Sequence, residues 1–262
     1  MTYTMGVDIG SITSKCAILK NGQEIVAHAV IKAGTGSDGP ERAVSKTLNE
    51  AGLNREDLTY VVATGYGRVI YADADEEISE IACHAKGAAF QVENARTVID
   101  IGGQDAKAIK LAANGKVLKF EMNEKCAAGT GRFLDVMAQA LGYPVAELGI
   151  LGKRSTEKVI ISSTCTVFAE SEVISHLTAK KKVEDVVAGI HDSIARRIAG
   201  LVRRVGIEET VVMTGGVAQN KGVVNALEEK LECKLTVPPY TQINGALGAA
   251  IIAFEKNSRR LK

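Results

Sequence analysis

Two cysteines of this chain sit in similar surroundings. Cys126 lies in Asn123-Glu124-Lys125-Cys126-Ala127-Ala128-Gly129-Thr130-Gly131-Arg132-Phe133, ahead of a run in which Phe133, Leu134, Met137, Ala138 and Leu141 share one helical face. Cys165 lies in Ser162-Ser163-Thr164-Cys165-Thr166-Val167-Phe168-Ala169-Glu170, between a short apolar strand, Val159 to Ile161, and a second helical run. Each thiol is thus expected at or just before a helix N-terminus, where unpaired N–H groups and the helix dipole favour negative charge. A thiolate held there is a better metal ligand than a thiol in a core. The same segments also suit two ordinary half-buried thiols, since cysteine often serves as a small hydrophobe.

A second chemistry is written twice. Met5-Gly6-Val7-Asp8-Ile9-Gly10 reads as a buried strand ending in Asp-x-Gly, and Ser11-Ile12-Thr13-Ser14-Lys15 makes a polar turn into a returning strand. Glycine lets backbone N–H groups approach an anion, hydroxyls donate to phosphate oxygens, and Lys15 supplies a point charge. A plain polar hairpin fits the segment equally. Thr97-Val98-Ile99-Asp100-Ile101-Gly102-Gly103-Gln104-Asp105 repeats the pattern, and Ala106 to Leu111 returns. Two such hairpins imply an internal duplication. Facing each other, they could hold a polyphosphate and its magnesium from both sides through Asp8 and Asp100.

Each hairpin needs a frame. In the first half, Asn21-Gly22 turns the chain into a third strand, Glu24 to Ile31. Helices are expected over Pro40 to Ala51 and Glu76 to Ala89, with a strand Tyr60 to Thr64 between them. In the second half, Asn114-Gly115 turns into Lys116 to Glu121. Helices are expected over Phe168 to Thr178 and Val183 to Val205, the latter with His191, Asp192, Arg196 and Arg197 on a solvent face. Thr210 to Thr214 is a strand closed by Gly215-Gly216, a pair that lets a flat base or ribose lie against the backbone. A helix Val223 to Leu231, a strand Lys234 to Val237, a Gly- and Ala-rich helix Asn244 to Phe254 and a tail from Asn257 complete the chain.

Composition excludes several classes. The 262 residues are 46% hydrophobic, enough for one large domain or two small ones. A formal charge of +1 gives no reason to expect nucleic acid or an anionic membrane as partner. No apolar run is long enough to span a bilayer. The N-terminus reads as a strand start rather than a signal peptide. Five cysteines, an odd number, then argue for reduced thiols in the cytoplasm.

Asp8-x-Gly10, Asp100-x-Gly102-Gly103 and Thr214-Gly215-Gly216 resemble the phosphate and adenosine motifs of the sugar kinase, actin and heat-shock ATPase superfamily. The two cysteine segments, Asn123 to Met137 and Ser162 to Ser175, narrow the likeness. They closely resemble the ATP-dependent activator components of the (R)-2-hydroxyacyl-CoA dehydratases, and the likeness covers essentially the whole chain. It implies an α/β fold of duplicated ribonuclease-H-like (actin-like ATPase) domains with a nucleotide cleft between them. Domain I would span 1–94, completed by a C-terminal helix 245–262; domain II would span 95–244 and carry the cysteines.

The resemblance also implies a homodimer, in an anaerobic organism, with one oxygen-sensitive 4Fe-4S cluster held by Cys126 and Cys165 of each chain. ATP or ADP with magnesium would bind each subunit. Asp8 and Asp100 would orient the metal, Gly10, Ser11, Ile12, Thr13, Ser14, Lys15, Gly102, Gly103 and Gln104 would line the phosphates, and Gly215, Gly216, Val217, Asn220 and Gln242 would face the rest of the nucleotide. Gln104 or Asp105 would position the attacking water, an amide being able both to donate and to accept. A reduced ferredoxin or flavodoxin would load one electron, to be passed to the dehydratase. The cysteine count agrees: a 4Fe-4S cluster usually takes four thiolates, and Cys16, Cys83 and Cys233 read as a core strand, a helix and a pre-strand position. Two rivals keep the same frame, a small-molecule kinase and a nucleotide-binding iron–sulfur sensor. A colourless, air-stable protein that phosphorylates an acceptor would favour the first, and absence of ATP turnover the second.

Overall fold

A computed structural model describes residues 1–162 and 165–260. Ser163 and Thr164 of the second cysteine segment, and Leu261 and Lys262 of the tail, lie outside the described residues. Two five-stranded mixed sheets organise the chain. In the first, β1 (Tyr3–Ile9), β2 (Ser14–Lys20) and β3 (Glu24–Ile31) form an antiparallel meander. β4 (Leu58–Thr64) then pairs parallel with β1, and the short β5 (Glu76–Glu77) parallel with β4. The second sheet repeats this, with β6 (Thr97–Ile101), β7 (Ala106–Leu111) and β8 (Val117–Asn123) as meander. Beside them lie β9 (Val211–Thr214), parallel to β6, and β10 (Leu235–Thr236), parallel to β9. The duplication expected from the two Asp-x-Gly hairpins is therefore a repeat of whole-sheet topology.

Helices cover both faces of each sheet, which is why the inner strands are buried nearly throughout. α1 (Gly39–Ala51) packs on one face of the first sheet, placing Ala43 and Val44 against Met5, Val7 and Ile18. α8 (Asn244–Arg260) covers the other, along β1, β2 and β4. On the second sheet, α2 (Glu80–Gln91) turns Ile81, Ala85 and Ala88 toward Val98, Ile109 and Val212. The opposite face carries the largest core, shared by α3 (Gly131–Leu141), α4 (Val145–Leu151), α5 (Thr166–Thr178), α6 (Val183–Val205) and α7 (Lys221–Leu231). α2 and α8 meet where the halves join. A Cβ on Gly248 would lie 1.8 Å from the Cys83 carbonyl oxygen and one on Gly87 2.1 Å from that of Asn244, so the crossing requires glycine at both points.

Several expected elements shift. Residues 76–77 pair with β4, so the second helix begins at Glu80 rather than Glu76. Val159 to Ile161 joins no sheet; its backbone runs beside α6, where the Val159 N–H approaches the Asp185 carbonyl. The last helix continues through the expected tail to Arg260, whose guanidinium lies 4.5 Å from the centre of the Tyr60 ring. α4 carried no reading in the sequence.

Candidate functional site

The hairpins correspond in ladder register and turn bonding. Asp8 pairs across its ladder with Lys15, and Asp100 with Lys107. The Gly10 N–H donates to the Thr13 carbonyl at 3.0 Å, and the Gly102 N–H to that of Asp105 at 2.9 Å. Each parallel strand then ends in Thr-Gly: Gly65 after β4 (φ 88°) and Gly215 after β9 (φ 87°), both in the left-handed region that glycine adopts freely. Asp8 is walled in by glycine. A Cβ on Gly65 would stand 2.5 Å from its Oδ1, and one on Gly245 2.9 Å from its Oδ2.

The turns of the two halves face each other. The Ile12 side chain lies against Gly103, 2.9 Å from where a Cβ would be. His84 of α2 sits between the carboxylates. Its Nδ1 is 3.2 Å from Asp100 Oδ1, and its Nε2 lies beside Gly245, which itself abuts Asp8. Asn244 donates to the His84 carbonyl at 3.0 Å.

The second hairpin is more heavily charged than the first. Lys107, 2% exposed, lies 2.5 Å from Asp105, 3.0 Å from Glu80 and 3.7 Å from Asp100. Burial works against its charge, but the three carboxylates outweigh it and hold the ammonium well above the usual lysine range. Burial likewise opposes ionisation of Asp100. His84, Lys107 and the Thr214 hydroxyl, which donates at 2.7 Å, reverse this and hold the carboxyl well below its usual range. Among the described residues Lys15 has one ion-pair partner, Asp8, at 3.3 Å.

The remaining expected contacts are placed as follows. Ser11 and Gln104 are exposed, and Gln104 makes no hydrogen bond with a described residue. The Ser14 hydroxyl is buried and donates to the Ala33 carbonyl at 2.8 Å. The Gly215 N–H donates to Thr241 at 3.0 Å, Gly216 lies beside Gln242, and Val217 is buried. Asn220 caps α7, its Oδ1 accepting from the N–H groups of Gly222 and Val223, while its Nδ2 is buried without a partner among the described residues. His191, expected on a solvent face, is instead buried between Gly152 and Gly222, because α6 packs on both α7 and the 152–154 turn.

Cys165 is exposed and is itself the N-cap residue of α5. Cys126 is half-buried four residues ahead of the N-cap of α3, Thr130, so only Cys165 stands directly at a helix end. Burial pushes the Cys16 and Cys83 thiols up to about 12 and raises that of Cys233, so none of these three is a ready thiolate. Among the described residues no group of three or more His, Cys, Asp or Glu is assembled for a metal within one chain. Two thiols from one chain fit half of a four-thiolate set, and the buried carboxylates, glycine walls and lysines fit a metal–polyphosphate.

Reading the sequence missed Glu80 and Lys107, and gave His84 and the glycine turn at Thr64-Gly65 no part in the site. The last had a signal, since Ala63-Thr64-Gly65 mirrors Met213-Thr214-Gly215.

Two like halves, each bringing an Asp-x-Gly hairpin, a facing lysine and a Thr-Gly turn to one junction, define an ATPase of the actin-like class. The chain belongs to the BadF/BadG/BcrA/BcrD ATPase family, whose model matches residues 5–253. It is 56% identical over 254 residues to the 2-hydroxyisocaproyl-CoA dehydratase activator of Clostridioides difficile, covering 97% of this chain and 96% of that protein. It is 55% identical over 258 residues to the (R)-2-hydroxyglutaryl-CoA dehydratase activating ATPase of Acidaminococcus fermentans, covering 98% and 99%. The solved activator of the 2-hydroxyisocaproyl-CoA dehydratase from Clostridium difficile with bound ADPNP superposes with a TM-score of 0.96 at 55% identity, covering 99% of this chain and 97% of that one. A glucokinase of the ROK family from Streptomyces griseus shares the fold at a TM-score of 0.60 and 14% identity, covering 97% and 99%.

Proposed function

We propose that this ATPase activates a 2-hydroxyacyl-CoA dehydratase by ATP-dependent one-electron transfer, as a homodimer sharing one 4Fe-4S cluster. The named relatives support the dehydratase as partner. The ATP analogue in the solved relative supports the nucleotide. In this reading 1–94 with the last helix and 95–244 are two domains closing on the nucleotide in the cytoplasm. Asp8 and Asp100 hold magnesium, and Lys15 and the turns 10–15 and 102–104 hold phosphates. Gly215, Gly216, Val217, Asn220 and Gln242 lie toward adenosine. Gln104 holds the attacking water.

When bound by Cys126 and Cys165 of both chains, the cluster supplies a one-electron carrier, loaded by reduced ferredoxin or flavodoxin. The observation that carries the coupling is a backbone link. The Gly131 N–H donates to the Gly102 carbonyl at 2.9 Å and the Arg132 N–H to that of Gly103 at 2.8 Å. The turn assigned to phosphate is thereby tied to the start of α3, five residues from Cys126. Displacement of that turn by nucleotide moves the cysteine loop.

Cys165→Ala tests the reading. A symmetric dimer would keep two thiolates where four are needed, so iron and its visible absorbance should be lost while a fluorescent ATP analogue still binds. A variant that kept a full 4Fe-4S spectrum and activated a dehydratase would end it.

A further inference from the structure

A cavity of about 330 Å³ lies beneath the cysteine loop, walled by Gly129, Phe133, Ser162, Ser193, Arg196 and Arg197. Its two arginines are consecutive and differ sharply. Arg196 is committed: its Nη2 donates to the Ile161 carbonyl at 2.7 Å and its Nε faces Asp192 at 3.3 Å. Arg197 is half-buried and makes no hydrogen bond or ion pair with any described residue, and its Nε is fully buried without a partner. The Arg197 stem crosses Gly129, its Cδ 3.2 Å from where a Cβ would stand. The Ser193 hydroxyl, one turn earlier on α6, is also without a described partner.

A half-buried guanidinium whose Nε–H is fully buried with no described partner is costly unless an anion meets it. Its planar fork fits the paired oxygens of an oxyanion, and a nearby hydroxyl adds another donor. We propose that Arg197 and Ser193 form an oxyanion site that takes a free anion of the phosphate class. The cavity accepts a tetrahedral oxyanion with its waters. Arg197 and Gly129 place the site against the loop that holds Cys126, and Ser162 places it three residues before Cys165. An anion bound there draws Arg197 onto itself and fixes the loop that the guanidinium stem covers. The inference does not depend on a cluster being held by the cysteines.

The test is thermal unfolding of the full-length protein in saturating ADP, with inorganic phosphate titrated against chloride at constant ionic strength. Wild type should show a saturable rise in melting temperature. Arg197→Gln should weaken the midpoint by at least about tenfold, the size of a lost charge-assisted hydrogen bond. Ser193→Ala should weaken it by about threefold, the lower end for a neutral hydrogen bond. The shift produced by ADP alone should be unchanged in both, separating this site from that for nucleotide. If Arg197→Gln does not fold, Arg197→Lys, which keeps the charge and loses the fork, should give an intermediate midpoint. An equal response in wild type and the variants, or none in wild type, overturns the site. An equal response to acetate overturns the phosphate assignment in favour of a carboxylate.

Discussion

In the first half, the chain leaves β3 and reaches Thr35, whose N–H donates to the Gly10 carbonyl at 2.9 Å before α1 begins. In the second half, it leaves β8, passes Cys126 and reaches Gly131, whose N–H donates to the Gly102 carbonyl at the same 2.9 Å. The clamp on the hairpin glycine is the same, but the loop that forms it now carries a thiol. Between clamp and parallel strand the first half inserts α1 and a short 3-10 turn, Arg55–Asp57, whereas the second inserts α3 to α6 and, ahead of α5, Cys165. The cysteines are thus an addition to a duplicated nucleotide frame, and the first of them lies on a connection the frame already possessed.

The hairpins also differ in how their charges are settled. Lys107 is enclosed by three carboxylates and two of its partners come from its own hairpin, whereas Lys15 keeps part of its surface in water and forms an ion pair, among the described residues, with Asp8 alone. The second hairpin is set before any ligand arrives; the first has donors left to give. Asp8→Asn should break this contrast most severely. On the magnesium role proposed for Asp8, loss of its charge should lower phosphate release by at least about a thousandfold, roughly 4 kcal/mol of barrier. Urea unfolding should change little, since Asp8 has one partly wet partner. A variant with near-normal turnover would remove Asp8 from the reaction.

Exchanging each lysine for methionine sharpens the same contrast through stability. Lys107→Met leaves Asp105 and Glu80 without the ammonium they share and Asp100 with His84 alone, and should cost about 3 kcal/mol in urea unfolding. Lys15→Met should cost at most about 1 kcal/mol and instead raise the KM for ATP. Equal stability losses would show that the two lysines do the same work.

The parts legible in the sequence were those set by local pattern. Asp-x-Gly twice, Asn-Gly twice and apolar runs between them specify two meanders, because turn chemistry and strand alternation act over a few residues. The duplicated fold followed. Glu80 and His84 were not legible, because they reach the second hairpin from α2, which the chain builds as part of the first half's end. Lys107 was passed over as one strand residue among many; its role shows only when the fold sets Glu80 of α2 beside the hairpin's own Asp100 and Asp105. His191 was misplaced because α6 is covered on more of its circumference than one apolar stripe indicates. Asn220 was read toward the nucleotide, although Asn-Lys-Gly-Val at a helix start is also a readable cap.

His191 supplies a stability signal in the second half that is independent of the hairpins. Burial lowers its pKa from 6.5 to about 4. Above pH 6.5 the ring is neutral in both folded and unfolded chains, and nothing is lost. As pH falls through 6.5 the unfolded chain takes up a proton that the folded one refuses, so stability falls until about pH 4. Full separation of the two values corresponds to about 3 kcal/mol. Urea unfolding between pH 7 and 4 should show this slope, and His191→Gln should flatten it whatever its stability at pH 7. Asp100, held ionised below the usual range, adds its own loss only below about pH 4, the ordinary aspartate value. An unchanged slope in the variant would show that His191 is not the titrating group.

The smallest expected effect decides between the two neighbours in the second turn. The sequence allowed Gln104 or Asp105 to orient the attacking water. Asp105 is already engaged, with Oδ2 2.5 Å from Lys107 and Oδ1 packed against Gly102. Rotating it toward a water would strip Lys107 of a partner. Gln104 is exposed at the turn tip, free of described partners, and its amide can accept from a water while donating to phosphate. Gln104→Ala should therefore lower kcat by about ten- to thirtyfold, near 2 kcal/mol of barrier, with nucleotide affinity within about twofold. The first hairpin supplies the control, because Thr13 holds the position equivalent to Asp105 and Ile12 that equivalent to Gln104. Ile12→Ala should loosen the contact with Gly103 and weaken binding and turnover together. If Gln104→Ala also lowered both in proportion, its role would reduce to phosphate contact, and the two turns would be alike in chemistry as they are in shape.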